Sequence, residues 1–352
     1  MFIIGLGTAV PPRRYTQVEC WEALQSSRPF AQLSPRSQEI LRKVLNGQNG
    51  ITTRYLAPSP LSEVFGLHPD TLYRHFLHHA PRLAAEASER ALHRAGCSAQ
   101  DVDAVIVSTC TGYLCPGLSG YVIERLGLRP DVIALDLVGQ GCGAALPNLS
   151  TCEALIASGR CHQALSVCVE VCSAAFYLDD DPGVLISACL FGDGAGAALL
   201  SAMPNSENRS IEWKTSRTVT EPMQRDLLRF ETRNGLLRNI LTPPVPRLAA
   251  LQAKRVLDQV LTETGIRQDE IRAWIWHAGG RDVLQALEKS LGLDEDDTHW
   301  SRTVLNEYGN LSSAFVYFVL ERALAHDVPD GWWWLASFGA GFSSHGALLT
   351  VL

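Results

Sequence analysis

A duplicated α/β architecture follows from three features of the sequence. Short runs at 102–108, 131–138, 164–170, 271–277 and 332–338 are apolar on successive residues, the pattern of strands covered by helices on both faces. Stretches with helical periodicity alternate with them, at 82–96, 117–126, 143–158, 247–264, 281–291 and 311–325. Two pairs of segments also occur in similar form. "ALHRAGCSAQDVDAVIVSTCTG" (91–112) parallels "VLTETGIRQDEIRAWIWHAGG" (260–280), and "LFGDGAGAALL" (190–200) parallels "SFGAGFSSHGALL" (337–349).

Each element of the first pair has a local cause. A helix stops at a glycine, which accepts the left-handed conformation of a helix end. A short acidic turn follows, and then an apolar strand opens into a glycine-containing loop. In this pairing Ser108 and His277 are equivalent positions. The copies are too long and too few for a solenoid. Two halves are therefore expected, 1–205 and 206–352, joined by the polar stretch 201–225, packed around shared helices and meeting at the functional site.

The chain has 352 residues, 46% of them hydrophobic and 19% charged, so a large core is expected. Its net charge of −7 disfavours a nucleic-acid partner, which a basic face would attract. No secretory leader and no membrane-length apolar run is visible. Ten cysteines form neither a CxxC pair nor a zinc-spaced cluster. They are read as reduced thiols of a cytoplasmic protein, most of them buried. The acidic runs "LDDD" and "DEDD" read as solvated turns and not as metal sites.

Three residues carry candidate chemistry. Cys142 in "GQGCG" lies between a strand and a helix. A cysteine there is either a small buried hydrophobe or a nucleophile whose thiolate is stabilised by the helix N-terminus. His277 leaves the strand "AWIWH" into a glycine loop, as a satisfied loop histidine or as a group that reaches a substrate. Asn310 in "YGNLSSA" precedes an apolar helix, as an N-cap or as an amide open to a ligand.

Taken together and in that order, Cys142, His277 and Asn310 resemble the catalytic set of the type III polyketide synthases of the thiolase superfamily. "GQGC", "HAGG" followed by a helix, "YGNLSSA", "LFGDGAGA" and "SFGAGFSSHGALL" are each similar to a segment of that family, and the resemblance spans nearly the whole chain. It departs from the family at Ala340, where proline is common. The acyl-carrier-primed ketosynthase III type is less similar, because "HAGGRD" stands where that family has an asparagine after the histidine.

The resemblance implies a thiolase-like, duplicated αβαβα five-layer fold, a homodimer, and an acyltransferase using CoA thioesters with no metal or redox cofactor. Cys142 would carry the acyl chain, with His277 and Asn310 stabilising the enolate of decarboxylated malonyl-CoA. Phe191 would stand as an apolar lid between the CoA tunnel and the cavity. Cys110, Thr111, Cys115, Cys172, Ala175, Gly339 and Ser312 are the expected cavity residues. Arg42, Lys43 and Arg54 are candidates for the CoA phosphates, with a solvated helix face as the alternative. No second aromatic gatekeeper is found in "NGLLRNIL". The run "RFETRNGLLRNILTPPVP" is similar to bacterial alkylresorcinol and alkylpyrone synthases. Iterative malonyl-CoA extension of a long-chain fatty acyl starter is therefore expected, closing by aldol or by lactone. A single condensation or acyl transfer is the alternative.

Overall fold

A computed structural model describes the chain apart from residues 48, 59, 62, 63, 66, 67, 206–208 and 327. The first half runs β1 (Phe2–Ala9), β2 (Arg14–Thr16), α1 (Gln17–Gln25), α2 (Arg28–Ala31), α3 (Pro35–Asn46), β3 (Thr53–Tyr55), α4 (Pro69–Ala95), β4 (Ala104–Ser108) and α5 (Leu118–Leu126). It continues through β5 (Ile133–Leu137), α6 (Ala145–Ala157), β6 (Gln163–Glu170), α7 (Pro182–Leu190) and β7 (Gly194–Ser201). Next come β8 (Ile211–Thr220), the hairpin β9 (Leu228–Arg233) and β10 (Leu236–Leu241), α8 (Val245–Thr264) and β11 (Ile271–Trp276). The chain ends through α9 (Arg281–Leu291), α10 (His299–Tyr308), α11 (Phe315–Leu324), β12 (Gly331–Gly339) and β13 (Ser343–Val351).

The repeat read from the sequence is a repeat of topology. Strand order in the main sheet is β11-β12-β13-β8-β1-β7-β6-β4-β5. In the first half β4 runs parallel to β6, which is antiparallel to β7, which is antiparallel to β1. In the second half β11, β12, β13 and β8 repeat that series of directions. The two series join through the short antiparallel pairing of Phe2 with Glu212 and Ile3 with Ile211. Helices α6 and α11 pack against strands of both series, α4 and α5 cover the first, and α8 lies on the second with α9 packed against it. The layers are therefore helix, sheet, helix, sheet, helix.

One core cluster crosses the repeat. Leu146 of α6, Phe315 of α11, Trp276 of β11 and Leu200 of β7 all belong to it. Both repeated helices end as expected, α4 at Gly96 with φ 66° and α8 at Gly265 with φ 72°. Helix α4 is longer than the expected 82–96, because Pro81 lies inside it, buried, and the proline at its start is Pro69. Helices α1, α3 and α7 pack around a separate apolar cluster that includes Cys20, Leu41, Leu185 and Phe191. No described helix is long and apolar enough to cross a membrane.

Candidate active site

The loops after β4, β5, β6, β11 and α10 come together. Cys142 sits in a single tight turn, Gly141–Gly143, directly before α6. The turn has this shape because another backbone lies against it. A Cβ on Gly143 would fall 2.9 Å from the Gly339 nitrogen, and one on Gly339 would fall 2.2 Å from the Gln140 carbonyl oxygen. Ser337 closes the contact by donating to the Gly143 carbonyl at 3.0 Å. The nucleophile turn of one half is thus braced by the glycine loop of the other. Gly339 is a close-packing position and does not line the substrate space, because the main chain of residues 140–143 occupies the room beside it.

His277 is 3% exposed and follows β11, its main-chain N–H bonded to the Ala336 carbonyl at 2.9 Å. The Phe315 ring meets its imidazole edge-on, with centroids 5.4 Å apart. Asn310 is 2% exposed. Its Oδ1 accepts from the Ser312 N–H at 2.8 Å and its Nδ2 donates to the Gly279 carbonyl at 3.1 Å. The amide is thereby fixed in orientation, and one N–H of Nδ2 remains for a ligand. Asn310 is not a simple helix cap. Its bond to Ser312 holds that residue at φ 52°, a left-handed conformation that a non-glycine residue keeps only when its surroundings impose it.

The Cys142 thiol is held well below its usual value. Hydrogen bonding from Cys110 lowers it most, burial opposes this, and a hydrogen bond and charge from His277 and the Ser312 hydroxyl add to the lowering. Cys110 moves the opposite way, well above the ordinary thiol value, through its bond to Cys142, burial and the Glu170 charge. Because His277 and Ser312 also favour the Cys142 anion, the sulfur that carries the negative charge is Cys142.

Glu170 anchors this arrangement, although no motif in the sequence marks it. It is fully buried at the end of β6. Its carboxylate accepts from Thr111 Oγ1 at 2.9 Å, the Cys110 N–H at 3.1 Å and Ser313 Oγ, and Ser312 Oγ lies 3.2 Å from it. Burial raises its pKa, opposed chiefly by the Ser313 hydroxyl and the Cys110 N–H. The one sequence signal for it is an acidic residue closing an apolar strand, where a carboxylate is costly unless several donors surround it.

Two cavities meet at Phe191. The outer cleft, about 810 Å³, is lined by Cys142, His277, Asn310 and Phe191 and reaches Lys43 and Arg281. The inner cavity is about 30 Å³ and is lined by Thr111, Cys172, Ala175, Tyr177, Phe191 and Ser312, among others. Phe191, Phe230 and Asn239 border both. The segment "NGLLRNIL" supplies Asn239, and the second aromatic comes from its cross-strand partner Phe230 on β9. Cys110 lies against Cys142, and not in either cavity lining.

Three expected positions fall elsewhere. Cys115 is exposed and lines neither cavity, because its loop turns outward beside Tyr113. Arg42 is exposed and pairs with Glu39 at 2.7 Å on the same face of α3. Arg54 is fully buried, and its Nη1 donates to the Ala188 and Phe191 carbonyls at 2.8 Å each. It fixes the segment 188–191 and cannot reach a phosphate. Lys43 is the expected cation that does border the cleft, and Arg281, at the start of α9, joins it. The run 178–181 is likewise more than a solvated turn, since Asp181 caps α7 and pairs with Arg238 of the hairpin.

Residues 9–224 match the family model described as FAE1/Type III polyketide synthase-like protein, and residues 224–351 match the C-terminal domain of chalcone and stilbene synthases. The chain is 30% identical over 363 residues to a 3,5-dihydroxyphenylacetyl-CoA synthase of Streptomyces toyocaensis, covering 99% of this chain and 89% of the relative. It is 27% identical over 369 residues to the alpha-pyrone synthesis polyketide synthase-like Pks18 of Mycobacterium tuberculosis, covering 99% and 91%. The crystal structure of PKS-I from the brown alga Ectocarpus siliculosus superposes with a TM-score of 0.90 at 26% identity, over 99% of this chain and 98% of that one. With a thiolate, a histidine and an oriented asparagine amide facing one cleft in a duplicated thiolase-like fold, the chain belongs to the type III polyketide synthases, acyltransferases that act on acyl-CoA and malonyl-CoA.

Proposed function

We propose that the protein extends an acyl starter held on Cys142 by repeated decarboxylative condensation with malonyl-CoA and then closes the chain into a ring. The Cys142 thiolate attacks the acyl-CoA carbonyl and expels the CoA thiolate. Malonyl-CoA loses CO₂, and the electron pair left behind forms an enolate. His277 and the remaining N–H of Asn310 Nδ2 donate to the enolate oxygen. The enolate carbon attacks the Cys142 thioester, which frees the thiolate and leaves a β-ketoacyl-CoA ready to reload. Lys43 and Arg281 supply positive charge for the CoA phosphates at the cleft mouth. These steps use no resident metal or redox cofactor.

The observation that carries this reading is the fixed Asn310 amide, whose oxygen is used by Ser312, whose nitrogen donates once to Gly279, and whose second N–H is left for the cleft beside Cys142 and His277. The outer cleft of about 810 Å³ gives a growing chain room and favours iteration over a single condensation, whereas the cavity behind Phe191 is small.

Its volume of about 30 Å³ holds one or two waters. That favours a short acyl starter over the fatty acyl starter expected from the sequence. A long-chain starter remains the second reading, supported by the small or apolar lining of Cys172, Ala175, Val184 and Leu237. Acyl-CoAs of graded length, incubated with malonyl-CoA and read by product mass, decide between them. Products longer than starter plus one C2 unit are expected, with kcat/KM falling as the starter lengthens. One added unit or none removes the iterative reading, and kcat/KM rising with length favours the fatty starter. Alpha-pyrone synthesis in the name of the mycobacterial relative supports lactone closure.

We further propose a homodimer formed over the β5 edge, where Leu135 and Val138 are exposed and Tyr113 stands on the neighbouring loop.

A further inference from the structure

The histidine of "SFGAGFSSHGALL" takes no part in the catalytic steps, yet it lies directly behind the nucleophile. His345 is on β13 and 3% exposed. A Cβ on Gly143, the residue after Cys142, would fall 3.1 Å from His345 Cδ2, so the imidazole edge packs against the nucleophile turn. Across the sheet His345 stands opposite Thr218 of β8 and Ser337 of β12. Ser343, two residues back on the same strand, shares its face.

Both ring nitrogens have partners. Nδ1 lies 2.9 Å from Thr218 Oγ1, and Nε2 lies 3.1 Å from Ser343 Oγ. The neighbours place the protons. Ser343 Oγ donates its one hydrogen to the Ala340 carbonyl at 3.2 Å, so it accepts from His345 Nε2–H. Burial pulls the His345 pKa down to about 4, so at neutral pH the ring is uncharged and Nδ1 is an acceptor. The Thr218 hydroxyl donates to it. One directed chain thus runs from Thr218 through His345 and Ser343 to the Ala340 carbonyl.

Ala340 carries the chain to the other side of the nucleophile. A Cβ on Gly141 would fall 3.0 Å from the Ala340 nitrogen and 3.1 Å from its Cβ. Both glycines that flank Cys142 therefore rest on this one network, Gly143 on the imidazole edge and Gly141 on Ala340. An apolar side chain would fill the buried position without the desolvation that an imidazole pays. What the imidazole adds is two oriented hydrogen bonds.

We propose, resting on the reading of Cys142 as the acyl-carrying nucleophile, that His345 is a positioning residue for Cys142. It touches no substrate. It holds Gly143 and Ala340 so that Cys142 Sγ stays 3.2 Å from Ser312 Oγ and beside His277 in the cleft. Position matters there because hydrogen bonds to the thiolate weaken steeply as distance and angle depart from their optimum.

The test compares the full chain as wild type, His345→Leu, His345→Gln and Ser343→Ala. His345→Leu keeps bulk against Gly143 and removes both hydrogen bonds. His345→Gln retains an N–H donor for Ser343. Ser343→Ala cuts the link to Ala340 and leaves the imidazole in place. Alkylation of Cys142 by iodoacetamide is followed by peptide mass from pH 5 to 9, with the buried Cys152 as the control for opening of the core. His345→Leu is expected to react about tenfold more slowly at pH 6 and near the wild-type rate at pH 9, the size of one lost charge-assisted hydrogen bond to the thiolate. Ser343→Ala is expected to slow severalfold at pH 6, and His345→Gln to stay within about twofold of wild type at every pH. In turnover His345→Leu should lose about tenfold in kcat with KM for malonyl-CoA little changed, because the CoA contacts lie elsewhere in the cleft. If His345→Leu does not fold, Ser343→Ala decides alone: a slower reaction at pH 6 supports the proposal and an unchanged one overturns it. Wild-type profiles in both His345→Leu and Ser343→Ala overturn it, as does a slower Cys142 reaction accompanied in each variant by labelling of Cys152. Absence of any malonyl-derived product from wild type removes the synthase reading instead, while the alkylation profiles still decide what positions Cys142.

Discussion

Ser312 Oγ lies 3.2 Å from Cys142 Sγ and also 3.2 Å from Glu170 Oε1, so one hydroxyl joins the nucleophile to the buried carboxylate behind it. Cys110 Sγ approaches the same oxygen at 3.2 Å. The thiolate is therefore supported from the β4 and α11 sides as well as by His277. Ser312→Ala removes one donor to the anion and raises the Cys142 pKa. Alkylation by iodoacetamide at pH 6 is expected to slow about tenfold, the size of one charge-assisted hydrogen bond, while the rate at pH 9 stays near wild type. An unchanged rate at pH 6 would show that Ser312 plays no part in holding the charge.

Asn310→Ala is expected to lower malonyl-CoA decarboxylation by about 10²–10³-fold, as removal of an oxyanion donor does. Loading of Cys142 by acyl-CoA should persist, because the amide has no role in that step. The two are separated by CO₂ release and by the mass of the acylated protein. Equal loss of both would mean that Asn310 acts by holding Ser312 in place.

Arg54→Met leaves the Ala188 and Phe191 carbonyls buried without their donor. The expected loss of stability is about 2–4 kcal/mol, since two buried acceptors lose their partner, read as the midpoint of denaturant unfolding. The Phe191 segment should loosen with it, so hydrogen exchange over residues 188–193 is expected to quicken in the variant.

Asp193 is pushed up to about 6 by burial, although it accepts from the Ser173 hydroxyl and N–H and from the Ala57 N–H. Its folded value lies above the unfolded one. The stability it contributes is therefore present below the unfolded pKa and lost as pH rises through about 6. Between pH 5 and 7.5 wild type should lose about 1 kcal/mol relative to Asp193→Asn. Parallel unfolding curves across that range would contradict the placement of this carboxyl.

Lys43→Glu is expected to raise KM for malonyl-CoA severalfold with kcat little changed, whereas Arg42→Ala should leave both as they are. Both pair with Glu39, Arg42 at 2.7 Å and Lys43 at 3.6 Å, but of the two only Lys43 borders the cleft. Equal effects in the two variants would return the phosphate contacts to the helix face as a whole.

The repeat, its strands and the order Cys142, His277, Asn310 are legible in the sequence alone, because each rests on a local pattern. Apolar runs set strands, glycines stop helices, and the three reactive residues each stand where a strand or helix meets a glycine loop. Arg54 reads the same in a sequence whether it faces solvent or the carbonyls of residues 188 and 191, and only packing against that segment decides between them. Cys115, three residues before α5, reads as a cavity cysteine by its neighbours in the chain, yet its loop turns outward. Glu170 is an anchor because donors from 110–111 and 312–313 close around it, and their separation along the chain carries no sign of that meeting. Phe230 borders both cavities through hairpin register, which sets it opposite Asn239. Chain-local preferences thus determined the elements, and the family resemblance singled out Cys142, His277 and Asn310. Long-range packing of the two halves decided which charge is spent on structure, which sulfur carries the anion, and how little room lies beyond Phe191.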